Sequence, residues 1–310
     1  MRLAAVTGAG GFIGSALVRR LVREGVSVRA LLGPVGAKSH PVPSNVEAME
    51  GEIDRIEIVA QLVAGCEVVF HVAGPASVVA SLDVPTEFAR IHVAGTATAL
   101  EASRRAGVAR FVHVSSAEVY GVPENNPVHE SHRLQARSPY AAAKIGAERM
   151  VESFRFAHGL EATILRPFSV YGPRQSAGGV VARVVQQVLT ANAIELADLT
   201  PRRDFCFVDD VVEAMVLAAD RRVALDDPIL NVASGVGVTI GELARAAAAA
   251  ANRDLPVRAN RAEGPPRRAD VHELVADTSR IRAALGWTPR TALVDGLRRT
   301  IEWFRNSEDA

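Results

Sequence analysis

Thr7-Gly8-Ala9-Gly10-Gly11-Phe12-Ile13-Gly14 lies between an apolar run at residues 3–6 and a helical pattern at residues 13–23. Glycines in such a turn let the chain reverse tightly and bring backbone N–H groups against a pyrophosphate at the helix N-terminus. Gly14 also allows the helix to pack closely on the strand. Since a second strand follows at the expected distance, the segment predicts a dinucleotide-binding site.

Short apolar runs alternate with helical patterns through the first half of the chain. The runs predict strands at residues 3–6, 26–32, 68–72, 111–114 and 163–165, and the patterns predict helices at 13–23, 56–63, 86–105 and 139–158. Continuous apolar strands separated by helices are typical of a parallel sheet covered on both faces. The fold class is therefore α/β, with a Rossmann doubly wound parallel sheet.

The second half of the chain is less regular, and the strand rhythm weakens from Gly172 onward. We expect residues 1–170 to form an NAD(P)-binding Rossmann domain, which a strand near 229–232 rejoins. Residues 171–310 are expected to form a smaller, partly interleaved C-terminal α/β substrate domain. The alanine-rich run at 246–251 lies inside a helical pattern and is predicted to be helical.

Composition narrows the class of protein. The 310 residues include 35 Lys and Arg and 35 Asp and Glu, so excess positive charge for nucleic acid is lacking and no such partner is expected. A hydrophobic fraction of 48% is typical of a folded globular chain. Cys66 and Cys206 have no neighbours at metal-ligand spacing, which predicts a reduced, cytoplasmic protein without a metal site. The apolar region at 58–82 is interrupted by polar residues, so no membrane span is expected.

The second predicted strand lacks the acid that often binds the adenosine ribose of NAD. Residues 25–46 contain no Asp or Glu, and the expected place falls at Leu32 or Gly33. An acid there would repel a 2′-phosphate, so its absence permits NADP and leaves NAD possible. Arg29 or Lys38 could contact such a phosphate, or each could be a solvated surface residue.

Tyr140 and Lys144 are four residues apart, so both project from one face of the predicted helix, which Ser138 can cap. A nearby ammonium lowers the pKa of a phenol, so Lys144 is expected to make Tyr140 a general base. Ser116 follows the strand at 111–114, at the sheet edge where ligands bind. Its hydroxyl can donate to a substrate oxygen that gains charge.

Several longer motifs are spread over the chain. They include Gly8-x-x-Gly11-x-x-Gly14, His71-Val72-Ala73-Gly74, Ser115-Ser116-Ala117-Glu118-Val119-Tyr120-Gly121, Tyr140-x-x-x-Lys144, Arg166-Pro167-Phe168-Ser169-Val170-Tyr171-Gly172-Pro173-Arg174 and Leu285-Gly286-Trp287-Thr288-Pro289. From about residue 3 to about residue 304, the chain resembles the extended short-chain dehydrogenase/reductase family. Within it, the NAD-dependent epimerase/dehydratase branch, which modifies nucleotide sugars, is the most similar.

The resemblance implies roles by position. It implies a catalytic set of Ser116, Tyr140, Lys144 and Glu118. It implies cofactor contacts from Gly8, Gly11, Phe12, Ile13, Gly14, Glu52, Ile53, Ala73, Gly74, Tyr140, Lys144 and Pro167. It implies nucleotide-sugar contacts from Ser116, Ser169, Arg203, Arg267 and Asp270. Guanidinium groups suit the phosphate oxygens of such a substrate, although Arg267, beside Arg268, could instead be a surface residue.

The chain departs from the family pattern at several positions. His92 replaces the family Asn and is expected to be a packing residue, and Ser169 replaces an Asn, which weakens a diphosphate contact. Ala117 and Glu118 stand where dehydratases carry an acid and base, so full 4,6-dehydration is disfavoured. Glu118 is either a loop carboxylate or similar to the glutamate of nucleotide-sugar decarboxylases.

The resemblance implies an enzyme that oxidises a sugar hydroxyl to a transient 4-keto intermediate with bound NAD or NADP. A nucleotide-sugar (NDP-sugar) 4-epimerase is the first expectation. The alternatives are an NADPH-dependent 4-keto-sugar reductase, a decarboxylase or dehydratase, and a non-enzymatic NAD(P)-sensing regulator, which would not need the Ser, Tyr and Lys together. Helices like those at 86–105 and 139–158 form a four-helix dimer interface in the family, so a homodimer is expected.

Overall fold

The structure is a computed structural model that describes residues 1–37, 39–220, 227–260 and 271–306. The strands are β1 (Leu3–Thr7), β2 (Ser27–Leu31), β3 (Glu47–Met49), β4 (Val68–His71), β5 (Arg110–Val114), β6 (Ala162–Pro167), β7 (Ser169–Tyr171), β8 (Ile194–Leu196), β9 (Arg202–Phe207), β10 (Ile229–Val232), β11 (Gly237–Thr239), β12 (Val257–Ala259) and β13 (Glu273–Leu274). The helices are α1 (Phe12–Arg23), α2 (Ile56–Val63), α3 (Val78–Asp83), α4 (Pro85–Ala89), α5 (Gly95–Arg105), α6 (Pro139–His158), α7 (Val180–Thr190), α8 (Val208–Ala218), α9 (Ile240–Ala250), α10 (Ser279–Leu285) and α11 (Leu293–Asn306).

A seven-stranded parallel sheet forms the centre of the protein, in the order β10-β6-β5-β4-β1-β2-β3. The predicted Rossmann-like α/β fold is confirmed. The strand order reverses beside β1, where the chain proceeds outward to β2 on one side and later to β4 on the other. Connections therefore diverge at this point, and their divergence opens a crevice at the carboxyl ends of the strands. Strand β3 was not predicted, because it is short and two of its three residues are exposed.

Both faces of the sheet are covered by helices, which explains the continuous apolar runs of its strands. Along β1, Ala4 and Val6 face the cluster formed with α1 and α8, whereas Ala5 faces the cluster formed with α2, α5 and α6. This alternation follows from the two-residue period of a strand. The strands β4, β5 and β6 are buried along their whole length.

The segment predicted at residues 229–232 is β10, which pairs in parallel with β6. The other described strands after β6 form smaller sheets, with β11, β9, β13 and β7 in one and β8 and β12 in another. Helices α7, α9 and α11 pack against one another beside them. The predicted alanine-rich helix is the second half of α9, which begins with a capping box between Thr239 and Glu242.

The single regular helix predicted at 86–105 is wrong in detail, because the structure has α4, a π-helical turn at Arg90–Ala94 and then α5. The π turn carries His92 inward against Gly74, where a Cβ atom would lie 2.2 Å from His92 Cε1. The first residue of α5, Gly95, packs against Ile53. Single π turns of this kind are frequent at functional sites.

Candidate active site

A cavity of about 470 Å³ lies at the carboxyl ends of β1, β2 and β4. Its lining includes the predicted cofactor residues Gly8, Gly11, Phe12, Ile13, Gly14, Glu52, Ile53, Ala73 and Gly74. The sheet topology thus brings together residues that are up to 66 positions apart in sequence, counted from Gly8 to Gly74. The turn after β2, where the ribose contact was expected at Leu32 or Gly33, also lines this cavity, and so does Arg90, which was not predicted.

Gly8 and Gly14 in the first turn lie so close to neighbouring backbone atoms that a side chain would overlap them. Gly8 has a φ of +65°, and a Cβ atom there would lie 2.8 Å from Ala73 Cα. A Cβ atom at Gly14 would lie 2.1 Å from the Gly8 carbonyl oxygen. Helix α1 begins at this turn without a side-chain cap, so its first N–H groups remain available to an anion. These features fit the pyrophosphate of a dinucleotide.

Thr7, at the end of β1, connects this strand to the backbone after β4. No role was predicted for this side chain from the sequence. Thr7 Oγ1 accepts hydrogen bonds from the N–H groups of Val72 and Ala73, both at 3.1 Å. Its hydroxyl therefore donates to Nδ1 of His71 at 2.9 Å, and His71 Nε2 donates to Thr96 Oγ1 at 3.0 Å. Burial and the charge of Lys144 lower the pKa of His71 to about 3, so this ring is neutral. The hydrogen bonds fix the ends of β1 and β4 relative to each other.

The end of the cavity beside β2, where the adenosine ribose is expected, is called the ribose end. It is lined by Leu31, Leu32, Gly33, Pro34 and Ala37. The described lining there contains no acid, as the sequence predicted. Lys38 lies outside the described residues.

Of the two roles considered for Arg29, a contact to a 2′-phosphate or a solvated surface position, the structure shows neither. Arg29 Nη1 donates to the carbonyl oxygens of Gln61, Leu62 and Ala64 at 2.9–3.0 Å, and its Nε donates to Glu47 at 2.9 Å. The guanidinium thus binds the unpaired carbonyl groups at the C-terminus of α2. Its Nε and Nη1 donors are engaged there and not at the ribose end.

A second cavity, of about 370 Å³, shares Phe12, Ile13 and Ala76 with the first. Its lining includes the predicted residues Ser116, Glu118, Tyr140, Pro167, Ser169 and Arg203. Gln175, Phe205 and Leu274 also line it and were not predicted. The predicted residues Arg267 and Asp270 lie outside the described residues. The cavity that contains the Gly-rich turn thus adjoins one that contains Ser116, Glu118 and Tyr140, whereas Lys144 lines neither cavity.

Helix α6 positions Tyr140 and Lys144. Ser138 caps the helix by accepting the Ala141 N–H at 3.1 Å. Burial raises the pKa of Tyr140 to about 12, although a hydrogen bond with Ser116 opposes this rise. The Lys144 ammonium is also buried and donates to the Val114 carbonyl oxygen at 2.8 Å.

The expectation that Lys144 lowers the pKa of Tyr140 does not hold in this structure. Burial of the phenol has the largest effect on the pKa of Tyr140 and raises it, and the charge of Glu118 raises this pKa further. Desolvation also lowers the pKa of Lys144 to about 8, so this group titrates close to neutral pH.

Aromatic rings enclose the Tyr140 side chain. Phe88 and His92 contact its ring edge to face, with centroids 6.1 and 5.6 Å away. His92 Nε2 donates to the Pro75 carbonyl oxygen at 3.0 Å, which leaves Nδ1 without a proton. Burial lowers the pKa of His92 to about 3. His92 is therefore a buried, neutral side chain packed between Gly74 and Tyr140.

Other site classes have no support in the described part of the chain. Among the described residues, no group of three or more His, Cys, Asp or Glu side chains is placed to hold a metal ion. No helix in the described ranges is both long and apolar enough to cross a membrane. Both cysteines are buried free thiols.

The parallel sheet, the Gly-rich turn after β1 and the buried Tyr140 and Lys144 on α6 define an enzyme of the extended short-chain dehydrogenase/reductase class. More specifically, the chain belongs to the NAD dependent epimerase/dehydratase family, whose family model matches residues 4–233.

Three proteins illustrate the similarity. UDP-glucose 4-epimerase of Mycolicibacterium smegmatis is 36% identical over 97% of this chain and 98% of its own length. The crystal structure of the UDP-glucose 4-epimerase of Thermus thermophilus in complex with NAD has a TM-score of 0.87 and 32% identity, covering 99% of this chain and 100% of that chain. dTDP-glucose 4,6-dehydratase of Streptomyces griseus is 31% identical over 96% of this chain and 93% of its own length.

Proposed function

We propose that this enzyme is an NDP-sugar 4-epimerase. Its site would oxidise the C4 hydroxyl of the sugar and return the hydride to the opposite face of the 4-keto intermediate. The observation that carries the proposal is that the two cavities share Phe12, Ile13 and Ala76, so that Ser116 and Tyr140 line a cavity adjoining the one proposed for the dinucleotide. The epimerase relatives, which match nearly the whole chain, support the same assignment.

In the proposed reaction, Tyr140 removes the proton from the C4 hydroxyl and later returns it. Ser116 Oγ accepts the Glu118 N–H at 3.2 Å, so its own hydroxyl hydrogen can point to the sugar oxygen. Lys144 supplies a positive charge on the same helix face as Tyr140. NAD⁺ held by the residues of the first cavity would supply the hydride acceptor, and the positive charge of its nicotinamide would favour the phenolate form of Tyr140.

Substrate binding would use the far side of the second cavity. Arg203, on β9, lines it and is the described guanidinium that we propose for the diphosphate. Ser169, at the start of β7, would contribute a shorter polar group than the asparagine of the family pattern. We also propose diphosphate contacts for Arg267 and Asp270, on the resemblance alone.

A second candidate is a dehydratase or decarboxylase, and Glu118 favours it. This carboxylate lines the second cavity, and its charge acts on Tyr140. A base in this position could take a proton from the sugar carbon next to the ketone. The neighbouring Ala117 provides no acid for the departure of water, which supports epimerisation as the first choice.

We propose NAD as the cofactor, retained through the catalytic cycle. Arg90 is the cation in the described lining of the first cavity, and ion pairs at 2.6 Å with Asp54 and 3.3 Å with Glu52 hold it. A 2′-phosphate would therefore find little unengaged positive charge among the described lining residues. We further propose a cytoplasmic location, which suits the two free thiols.

The test combines a cofactor analysis with a product analysis. The purified protein is denatured and the released dinucleotide identified, and separate samples are incubated with UDP-glucose, UDP-galactose, dTDP-glucose, UDP-glucuronic acid and, with NADPH, a 4-keto nucleotide sugar. We expect about one NAD per chain and interconversion of C4 epimers without net formation of NADH. Release of a 4-keto-6-deoxy sugar or of CO₂ from a UDP-uronic acid would favour the second candidate. A protein that purifies without dinucleotide and consumes NADPH with a 4-keto sugar would instead be a reductase.

We propose a homodimer formed through α5 and α6. The outer face of α6 presents Ala142, Arg149, Ser153 and Phe156 at helical spacing, and the Phe156 ring is 94% exposed. Association of two copies through this face would remove the Phe156 ring from water, which supports the proposed interface.

Phe156→Glu is expected to shift the protein from dimer to monomer at micromolar concentration, because it replaces the exposed apolar ring in the proposed interface with a charge. The measurement is sedimentation velocity across a dilution series. Val236→Glu changes an exposed valine on a loop after β10 and is the matched control, with no change in mass expected. A dimer that persists unchanged in Phe156→Glu contradicts this interface.

A further inference from the structure

A buried polar cluster lies on the inner side of α6, one helical turn beyond Lys144. Glu148 and Arg166 form an ion pair there, and their side chains are 0% and 1% exposed. The carboxylate of Glu148 accepts from Arg166 Nε at 2.9 Å and from Nη2 at 2.6 Å. It also accepts a hydrogen bond from Ser115 Oγ at 2.5 Å. Sequence reasoning assigned no role to Glu148.

The cluster connects α6 to the strands around it. Arg166, on β6, also donates through Nη1 to the Tyr120 hydroxyl and to the Glu130 carbonyl oxygen, both at 3.0 Å. Tyr120 donates in turn to Asn231 Oδ1, on β10, at 2.6 Å. The hydrogen-bonding capacity of the guanidinium and the carboxylate is therefore met from several elements.

Stability alone is a weak explanation for this ion pair. The cost of removing two charges from water is comparable to the attraction between them. The location is more informative, because Ser115 precedes the reactive Ser116 and Glu148 follows Lys144 by four residues. One carboxylate thus contacts the turn that carries Ser116 and shares a helix face with Lys144.

Glu148 supplies the negative charge that acts on the buried Lys144 ammonium. Among the described residues, the charge of Lys144 acts on the rings of His71 on β4, His92 on the π turn and His113 on β5, and the guanidinium of Arg166 on β6 pairs with Glu148. Burial and the charge of Lys144 lower the pKa of each ring far enough to keep it neutral. Glu148 is the group whose negative charge raises the pKa of Lys144 against the effect of burial.

We propose that Glu148 is a positioning residue of this enzyme, which holds the Ser115–Ser116 turn against α6 and keeps Lys144 in its charged form. The inference rests on the proposed epimerase activity, in which the Lys144 ammonium is required. Activity should then decline as the pH rises through the pKa of Lys144. Removal of the Glu148 charge lowers this pKa, so the decline should begin at a lower pH.

The test is the pH profile of kcat for Glu148→Gln, which keeps the shape and an oxygen acceptor for Ser115 but removes the charge. We expect the alkaline limb of the profile to move down by about one pH unit. Glu148→Asp, which restores the charge, should return the limb toward its original position. Glu152→Gln is the matched control, because Glu152 lies one turn further along α6 and pairs with Arg149 at 2.6 Å; its profile should match the wild type.

Ser115→Ala tests the second contact and leaves the charge in place, so it also serves if Glu148→Gln does not fold. We expect kcat to fall by about tenfold with an unshifted alkaline limb. An unmoved limb in folded Glu148→Gln, or wild-type kcat in Ser115→Ala, would overturn the inference. A wild-type protein that interconverts no nucleotide sugar would instead refute the proposed function.

Discussion

Tyr140→Phe is expected to lower kcat for epimerisation by about 10³-fold, because it removes the proposed base and leaves the rest of the site in place. The ring should remain packed against Phe88 and His92, since these contacts involve the faces and edges of the rings and not the hydroxyl. The NAD content should therefore stay at the wild-type level. The measurement is kcat for conversion between C4 epimers, together with the amount of dinucleotide released on denaturation.

Tyr171→Phe is the matched control for this substitution. Tyr171 is also buried, but its hydroxyl donates to the Leu293 carbonyl oxygen at 3.3 Å, away from both cavities. Its loss should leave kcat close to that of the wild type. If Tyr140→Phe retained more than a tenth of the wild-type kcat, Tyr140 would not be the base, and Glu118 would become the group to test next.

Much of the fold could be predicted because its signals are local. Each buried strand of the central sheet appears in sequence as an apolar run, and the turn at Gly8 identifies the first strand and helix. The strand β3 and the π turn at Arg90–Ala94 could not be found in this way. A short edge strand has no apolar run, and a π turn depends on how His92 and Gly95 pack against residues distant in sequence.

The candidate site was predictable where the chemistry of the residues is distinctive, as for Ser116, Tyr140 and Lys144. The contacts of long side chains were harder to predict, because the direction of such a side chain depends on the tertiary structure. Arg29 could be placed on a strand near the ribose end, but not on the carbonyl groups of α2 that it contacts. Glu148 carried a usable signal, since an acid four residues after Lys144 shares its helix face. Its partner Arg166 is brought to it only by the pairing of β6 in the sheet.

Gly14→Ala is expected to lower the free energy of unfolding by about 3 kcal/mol and to abolish retention of NAD. Alanine is the better helix former by about 1 kcal/mol, so helix propensity alone would predict the opposite sign. The added Cβ atom, however, would lie 2.1 Å from the Gly8 carbonyl oxygen, 2.8 Å from the Gly8 carbonyl carbon and 3.0 Å from Ala9 Cα. All three are backbone atoms, so no side-chain rotation can relieve the overlap.

The overlap can be relieved only if α1 moves away from the turn at Gly8, which would also withdraw the N–H groups proposed to bind the pyrophosphate. Loss of stability and loss of NAD should therefore occur together, as measured by chemical unfolding and by dinucleotide release. Gly178→Ala is the control, because a Cβ atom there meets nothing within 4 Å, and its unfolding free energy should change by less than about 0.5 kcal/mol. A Gly14→Ala protein that keeps one NAD per chain would show that the turn can shift without losing its anion site, and the role proposed for this glycine would be wrong.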